Sequence, residues 1–256
     1  MKNKNYKVVL VTGGAKRVGA SICKQLAKKG YKIIIHYNNS KREAKKLEAE
    51  INSKEIYAAT VQGDLSIEND VENLFSEALQ KFGTINCLIN NASVFEYDNL
   101  SKIKKQSWEN HILPNLRAPI ILSKLFAAKL PKKERGNIIN IIDQRVLNLT
   151  PHFLSYTLSK SGLWTLTRTL ALELAPRIRV NAIGPGPVLK SKFQSRTEFK
   201  NQCKSMPLEI GTSPEEICET IFYILSVKAL TGQIIALDGG QHLGWGQVKK
   251  SDELMD

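Results

Sequence analysis

The chain has 256 residues, 42% apolar and 24% charged with 9 prolines, so it can bury one sizeable core and is not a disordered sequence. Its apolar runs are too short to span a bilayer, and the start MKNKNYKVVLVTGG runs into a glycine turn where a signal peptide would have a cleavage site, so a cytoplasmic protein is expected. The net charge of +13 is scattered over helix-like segments such as KREAKKLEAE, interleaved with acids and lacking an aromatic-bearing basic stripe, so neither nucleic acid nor a membrane is expected as partner.

Short β-branched runs then alternate with amphipathic stretches. The first run, KVVLVT (7–12), leads into TGGAKRVG, Thr12 to Gly19, and a helical stretch ASICKQLAKKG. A glycine turn between a strand and a helix lets the backbone approach a pyrophosphate, with the helix N-terminus supplying N–H donors. The second run, YKIIIHY (31–37), is followed by NNSKR with no acid. An acid there would bind ribose hydroxyls and repel a 2′-phosphate. Its absence, with Lys16, Arg17, Lys41 and Arg42 nearby, points to NADP(H), although Lys41 and Arg42 also suit the start of a solvated helix.

The third run, IYAATV (56–61), precedes Gly63-Asp64-Leu65. Asp64 can either bind an adenine amino group or cap a helix. Further runs follow at INCLIN (85–90), GNIINII (136–142), IRVNAI (178–183) and QIIALD (233–238). Near-continuous apolar strands alternating with helices predict a parallel sheet of about seven strands covered on both faces. The expected architecture is a single α/β, doubly wound Rossmann-type domain over 1–244. It includes a small helical substrate cap over 187–226, and a polar tail follows at 245–256.

Tyr156 and Lys160 are four apart in a helical segment and share a face. An ammonium beside a phenol favours phenolate; lowering a tyrosine from ~10 by about three units needs roughly 4 kcal/mol. Asp143 precedes Tyr156 by 13 positions, where enzymes with this signature carry a serine. A serine hydroxyl donates to a carbonyl oxygen as charge builds on it. An ionised carboxylate cannot donate, but it accepts hydrogen bonds from ring N–H or amino groups, which fits reduction of a C=N bond in a nitrogen heterocycle. The same Asp143 also suits a strand-end cap in a weakly active protein.

The remaining polar residues have plainer readings. Arg145 and His152 fit either the pocket or a loop surface, and His36 a stacking or packing place near the adenosine. His111 and His242 have no partner pattern, so no metal site is argued. Trp164 fits core or subunit packing. Cys23, Cys87, Cys203 and Cys218 lack metal or redox spacing and read as reduced thiols, mostly buried.

TGGAKRVG, GDL, NNAS (90–93), Asn115 in NLRAP, YTLSK, RVNAIGPGPV and LDGG together resemble the short-chain dehydrogenase/reductase family over almost the whole length. Arg17 in place of the middle glycine of the turn, Asp143 in place of serine, HY-x-x-S and NNAS-x-F resemble its pteridine reductase and dihydromonapterin reductase branch. Asn39 departs from that branch, which often has a basic residue there.

The resemblance implies catalytic roles for Tyr156 as proton donor, Lys160, Asp143 and Asn115, the last holding a water of the proton relay. It implies cofactor contacts from Gly13, Lys16, Arg17, Val18 and Gly19, and from His36, Tyr37, Asn38 and Ser40. Asp64 and Leu65, then Asn91, Ala92 and Ser93, follow, with Tyr156, Lys160, Pro185, Gly186 and Val188. Substrate contacts fall to Arg17, Ser93, Phe95, Asp143 and Tyr156, with Phe95 sandwiching a pterin against the nicotinamide. A homo-tetramer is also implied.

The expected function is therefore NADPH-dependent reduction of a pterin-like C=N bond. A carbonyl or 3-oxoacyl reductase is the alternative, and would require Asp143 protonated or displaced. A catalytically weak NADPH-binding protein is the alternative of another class.

Overall fold

A computed structural model of the chain describes residues 7–53, 57–190 and 194–244. The expected tail at 245–256 lies outside the described residues. Seven strands form one parallel sheet: β1 (Val8–Val11), β2 (Lys32–Tyr37), β3 (Ala58–Gln62), β4 (Cys87–Asn90), β5 (Gly136–Ile141), β6 (Ile178–Pro185) and β7 (Ile234–Leu237). Their order is β3-β2-β1-β4-β5-β6-β7. Each overlaps a predicted run, trimmed by a residue or two at most ends; β3 and β6 instead extend to Gln62 and Pro185, and position 56 of the third run lies outside the described residues.

The strands are apolar throughout because both faces are covered. Val9, Val11, Ile33, Ile35, Cys87 and Ile89 point into one core with Ile22, Cys23 and Leu26 of helix α1 (Arg17–Lys28) and Ala44 and Leu47 of α2 (Lys41–Ile51). Their neighbours Val8, Leu10, Ile34 and Leu88 point to the other. There they meet Leu74 and Phe75 of α3 (Glu68–Phe82) and Leu122 and Phe126 of α5 (Ala118–Lys129). Period-two alternation thus persists within a continuous apolar run, one set of side chains to each helical layer. Cys23, Cys87 and Cys218 are buried within these layers as free thiols, and burial pushes all three thiols up.

The segment 187–226 divides in two. Helix α7 (Arg196–Lys204) has no buried residue, whereas α8 (Pro214–Ser226) packs on α1 and buries Ile217, Cys218, Ile221 and Ile224 in the first core. So α8 belongs to the layer that covers the sheet, because its apolar spacing matches the stripe of α1. Trp164 is half-buried on α6 (Leu154–Glu173), with the Arg168 guanidinium 4.9 Å over its ring.

Strand order reverses between β1 and β4, the neighbours from which the chain winds outwards in both directions. Crevices that take ligands open at the carboxyl ends of strands at such a reversal. Buried amides brace this end. Asn90 donates to Asn140 at 2.8 Å, and Asn140 donates to Thr167 at 2.8 Å. Among the described residues, no helix is long and apolar enough to cross a membrane.

Candidate active site

A cleft of about 530 Å³ opens at the carboxyl ends of β1, β4, β5 and β6. Its floor is the glycine turn. Gly13 has φ +61, and Arg17 has φ 52, a left-handed conformation that costs a non-glycine residue roughly 1–3 kcal/mol. A glycine would adopt the same conformation without that strain.

A side-chain carbon on Gly19 would overlap the Gly13 carbonyl oxygen and lie 2.8 Å from Asn91 Nδ2. Asn91 in turn donates to the carbonyls of Thr12 and Gly13 at 2.9 and 3.2 Å. The Thr12 hydroxyl accepts the N–H groups of Asn91 and Ala92 at 2.9 and 3.0 Å. Helix α1 starts with no side-chain cap and no acid in its first turn, unlike α7 and α8, which carry Ser–Glu capping boxes. Its positive end and free N–H groups therefore suit the pyrophosphate of a dinucleotide.

Of the residues assigned to cofactor or substrate, Gly13, Lys16, Arg17, Val18 and Gly19 line the cleft from the turn. Asn91, Ala92, Ser93 and Phe95 line it from the segment after β4, Asp143 and Tyr156 from the far wall, and Pro185, Gly186 and Val188 from the end of β6. Lys160 and Asn115 are buried behind Tyr156, and His36, Tyr37, Asn38, Ser40, Asp64 and Leu65 lie away from the cleft, around the ends of β2 and β3.

Several of these residues are held by contacts within the chain, and His36 takes the packing place. His36 does not present a stacking face: it is buried, its Nδ1 accepts the Gly13 N–H at 3.1 Å, and its Nε2 bonds the Gly63 carbonyl at 3.0 Å. It is a strut that fixes the turn from behind. Asp64 accepts the N–H and hydroxyl of Ser66 at 2.8 and 2.6 Å and interacts with Asn38, which together hold its carboxyl below the usual range. These contacts close a local turn ahead of α3, whose N-cap Ile67 makes no side-chain bond, so Asp64 does not cap that helix. Lys16 forms an exposed pair with Glu43 at 2.8 Å. Arg17 spans the cleft mouth, donating to the Leu189 and Lys190 carbonyls at 3.0 and 3.1 Å.

Burial holds His36 below the ordinary imidazole value of 6.5. The unfolded chain thus takes up a proton that the folded chain resists, so stability is retained above pH 6.5 and lost as pH falls through the lowered folded value. Melting temperature should drop more steeply between about pH 7 and about pH 5 in the parent than in His36→Asn. Equal slopes would remove His36 from this role.

On the far wall the Tyr156 hydroxyl donates to Asp143 Oδ2 at 2.8 Å. Tyr156 is held well above the usual phenol range, first by burial and then by the carboxylate. This corrects the expectation that Lys160 lowers it: the hydrogen-bonded anion is the closer charge, while Lys160 Nζ donates to the Ile141 carbonyl at 2.9 Å. Burial lowers Lys160 itself to about 8. A positive charge beside the tyrosine is therefore lost as pH rises through about 8, and kcat should fall along a limb there. A flat kcat profile across that range would contradict it.

Asn115 lies in a π-helical turn (Leu113–Arg117) between α4 (Lys105–Ile112) and α5. Both amide hydrogens are committed, to the Val94 carbonyl at 2.9 Å and the Ser159 hydroxyl at 3.1 Å, and its oxygen accepts the Val94 N–H at 2.8 Å. Its side chain docks the 94-loop onto α6 and leaves no N–H for a relay water.

Phe95 is 45% exposed, with one ring stacked on Phe153 at 4.4 Å and its edge contact to Tyr156 at 4.7 Å. His111, for which the sequence offered no partner, joins this wall. Its Nε2 accepts the Glu96 N–H at 3.0 Å, so its proton sits on Nδ1, 2.7 Å from the Ser155 hydroxyl. Ser155 also donates to the buried Asp98. Gln194, Phe199, Gln202 and Gln241 line the cleft without having been singled out, and Arg145, which the sequence left between pocket and loop surface, lines it too. The position of Arg145 between Asp143 and Tyr156 was the available signal for it.

A dinucleotide-ready turn facing a tyrosine, a buried lysine and a carboxylate defines an oxidoreductase of the nicotinamide-dependent kind. The short chain dehydrogenase family model matches residues 7–201, and the chain belongs to that family. It is 30% identical over 242 residues to 3-oxoacyl-[acyl-carrier-protein] reductase FabG of Staphylococcus epidermidis, covering 93% of this chain and 99% of that protein. It is 44% identical to FolM alternative dihydrofolate reductase 1 from Brucella canis, crystallised with NADP, with a TM-score of 0.91 over 96% of this chain and 97% of that one. The FolM structure from Brucella suis, also with NADP, is 45% identical, with a TM-score of 0.91 over 94% and 97%.

Proposed function

We propose that this oxidoreductase uses NADPH to reduce a C=N bond in a pterin or dihydropterin. The observation that carries this reading is the Asp143 carboxylate bonded to the Tyr156 hydroxyl at 2.8 Å, where a ketone reductase needs a donor. The likeness to FolM structures at 44% and 45% identity supports it. When bound, NADPH supplies the hydride that goes to the substrate carbon. Tyr156 gives its hydroxyl proton to the nitrogen and regains one from solvent. Asp143 accepts N–H groups of the heterocycle and orients the C=N bond against Tyr156. Lys160, buried behind them, holds positive charge as the tyrosine ionises. The open part of Phe95 offers a flat apolar contact to the ring.

Reduction of a carbonyl or 3-oxoacyl substrate is the second reading, and the 30% identity to FabG favours it. NADPH absorbance with dihydrobiopterin, dihydromonapterin, dihydrofolate and a 3-oxoacyl thioester separates the two. Turnover of the thioester alone would defeat the pterin reading.

A further inference from the structure

Arg145 is a charged residue of the cleft to which the proposed reaction gives no task. It sits on the short helical turn Gln144–Val146, and its backbone N–H donates to Asp143 Oδ1 at 2.8 Å. That carboxylate receives the Tyr156 hydroxyl on its other oxygen. The guanidinium lies 4.7 Å over Phe153 and 5.7 Å over Phe95. Its Nε and Nη1 are buried and lack hydrogen-bond partners, and among the described residues it forms no ion pair. Aromatic faces replace only part of the hydration a cation loses, so this placement is unfavourable unless the charge is used.

The proton transfer creates a use for it. When Tyr156 releases its proton, a tyrosinate stands against the Asp143 carboxylate, and two adjacent anions oppose the step. Lys160 supplies one positive charge, directed at the Ile141 carbonyl. His111 packs against Tyr156 at 5.9 Å but is neutral, because its Nε2 accepts the Glu96 N–H; the nearby Asp98 is bonded to Ser155. Arg17 is committed to the Leu189 and Lys190 carbonyls, and Lys16 to Glu43. Counting Asp143, Lys160 and Arg145, the site carries one net positive charge before the proton leaves and none after it.

We propose that Arg145 is a positioning residue that acts through charge, offsetting the Asp143 carboxylate so that Tyr156 can release its proton. The guanidinium does oppose the influences that hold Tyr156 high. This inference rests on Tyr156 as the proton donor and is independent of which substrate receives the proton.

Arg145→Met keeps much of the packing on Phe153 and removes the charge, whereas Arg145→Lys keeps the charge. Deleting a cation raises the pKa of each neighbouring acid, phenol and ammonium alike. Arg145→Met is therefore expected to lower kcat about tenfold or more. It should leave the NADPH dissociation constant within about twofold and move the alkaline limb of kcat to higher pH. Arg145→Lys should return the limb and part of the rate. An unmoved limb in Arg145→Met, or a loss confined to the KM of the hydride acceptor, overturns the inference.

Dihydropterin and 3-oxoacyl thioester are assayed in parallel, so failure of the pterin reading still leaves a limb to read. If neither turns over, Tyr156 ionisation is followed by ultraviolet difference absorbance, parent minus Tyr156→Phe. An unchanged midpoint in Arg145→Met then overturns it.

Discussion

Tyr156→Phe should lower kcat about a thousandfold while NADPH still binds, since a positioned general acid contributes about 10²–10⁴. The substitution removes one oxygen and keeps the ring that packs edge-on against Phe95 and His111. The fold should survive it, and the loss should appear in single-turnover NADPH oxidation with little change in cofactor titration. Retention of more than about a tenth of the rate would mean that another group delivers the proton.

Replacing Asp143 separates the substrate classes. Asp143→Ala should lower kcat/KM for a dihydropterin about a hundredfold, because the acceptor that orients ring N–H groups is gone. Asp143→Ser supplies a donor in its place and should raise activity on a 3-oxoacyl thioester relative to the parent. The ratio of kcat/KM for the two substrates is the measurement. A ratio unchanged in both variants would show that the carboxylate does not choose the substrate. The two positions share a hydrogen bond, so Asp143→Ala with Tyr156→Phe should cost less than the separate losses combined.

Much of the fold could be read from local pattern. Runs such as YKIIIHY and INCLIN are apolar at successive positions because both sheet faces are covered, and that is visible without a partner. The glycine turn and the Tyr156–Lys160 spacing are equally local. What stayed hidden depends on residues distant in sequence. His36 became a strut because Gly13, 23 positions away, places an N–H against it. His111 acquired Ser155 from 44 positions away, and Asn115 acquired Val94 from 21. The expected lowering of Tyr156 by Lys160 failed because helical spacing places the two on one face but says nothing of where the ammonium points. Arg145 was noticed but left between pocket and surface, since nothing local tells whether a guanidinium finds a partner.

Arg17 joins two stretches 172 and 173 positions apart, crossing from the cofactor turn to the carbonyls of Leu189 and Lys190. An enzyme with glycine at that place has no side chain to make the crossing. This difference offers a handle for selective inhibition. A cleft-filling compound carrying an acid at the level of those carbonyls would compete for the guanidinium here, and would find no counterpart cation at that position in a glycine-bearing relative.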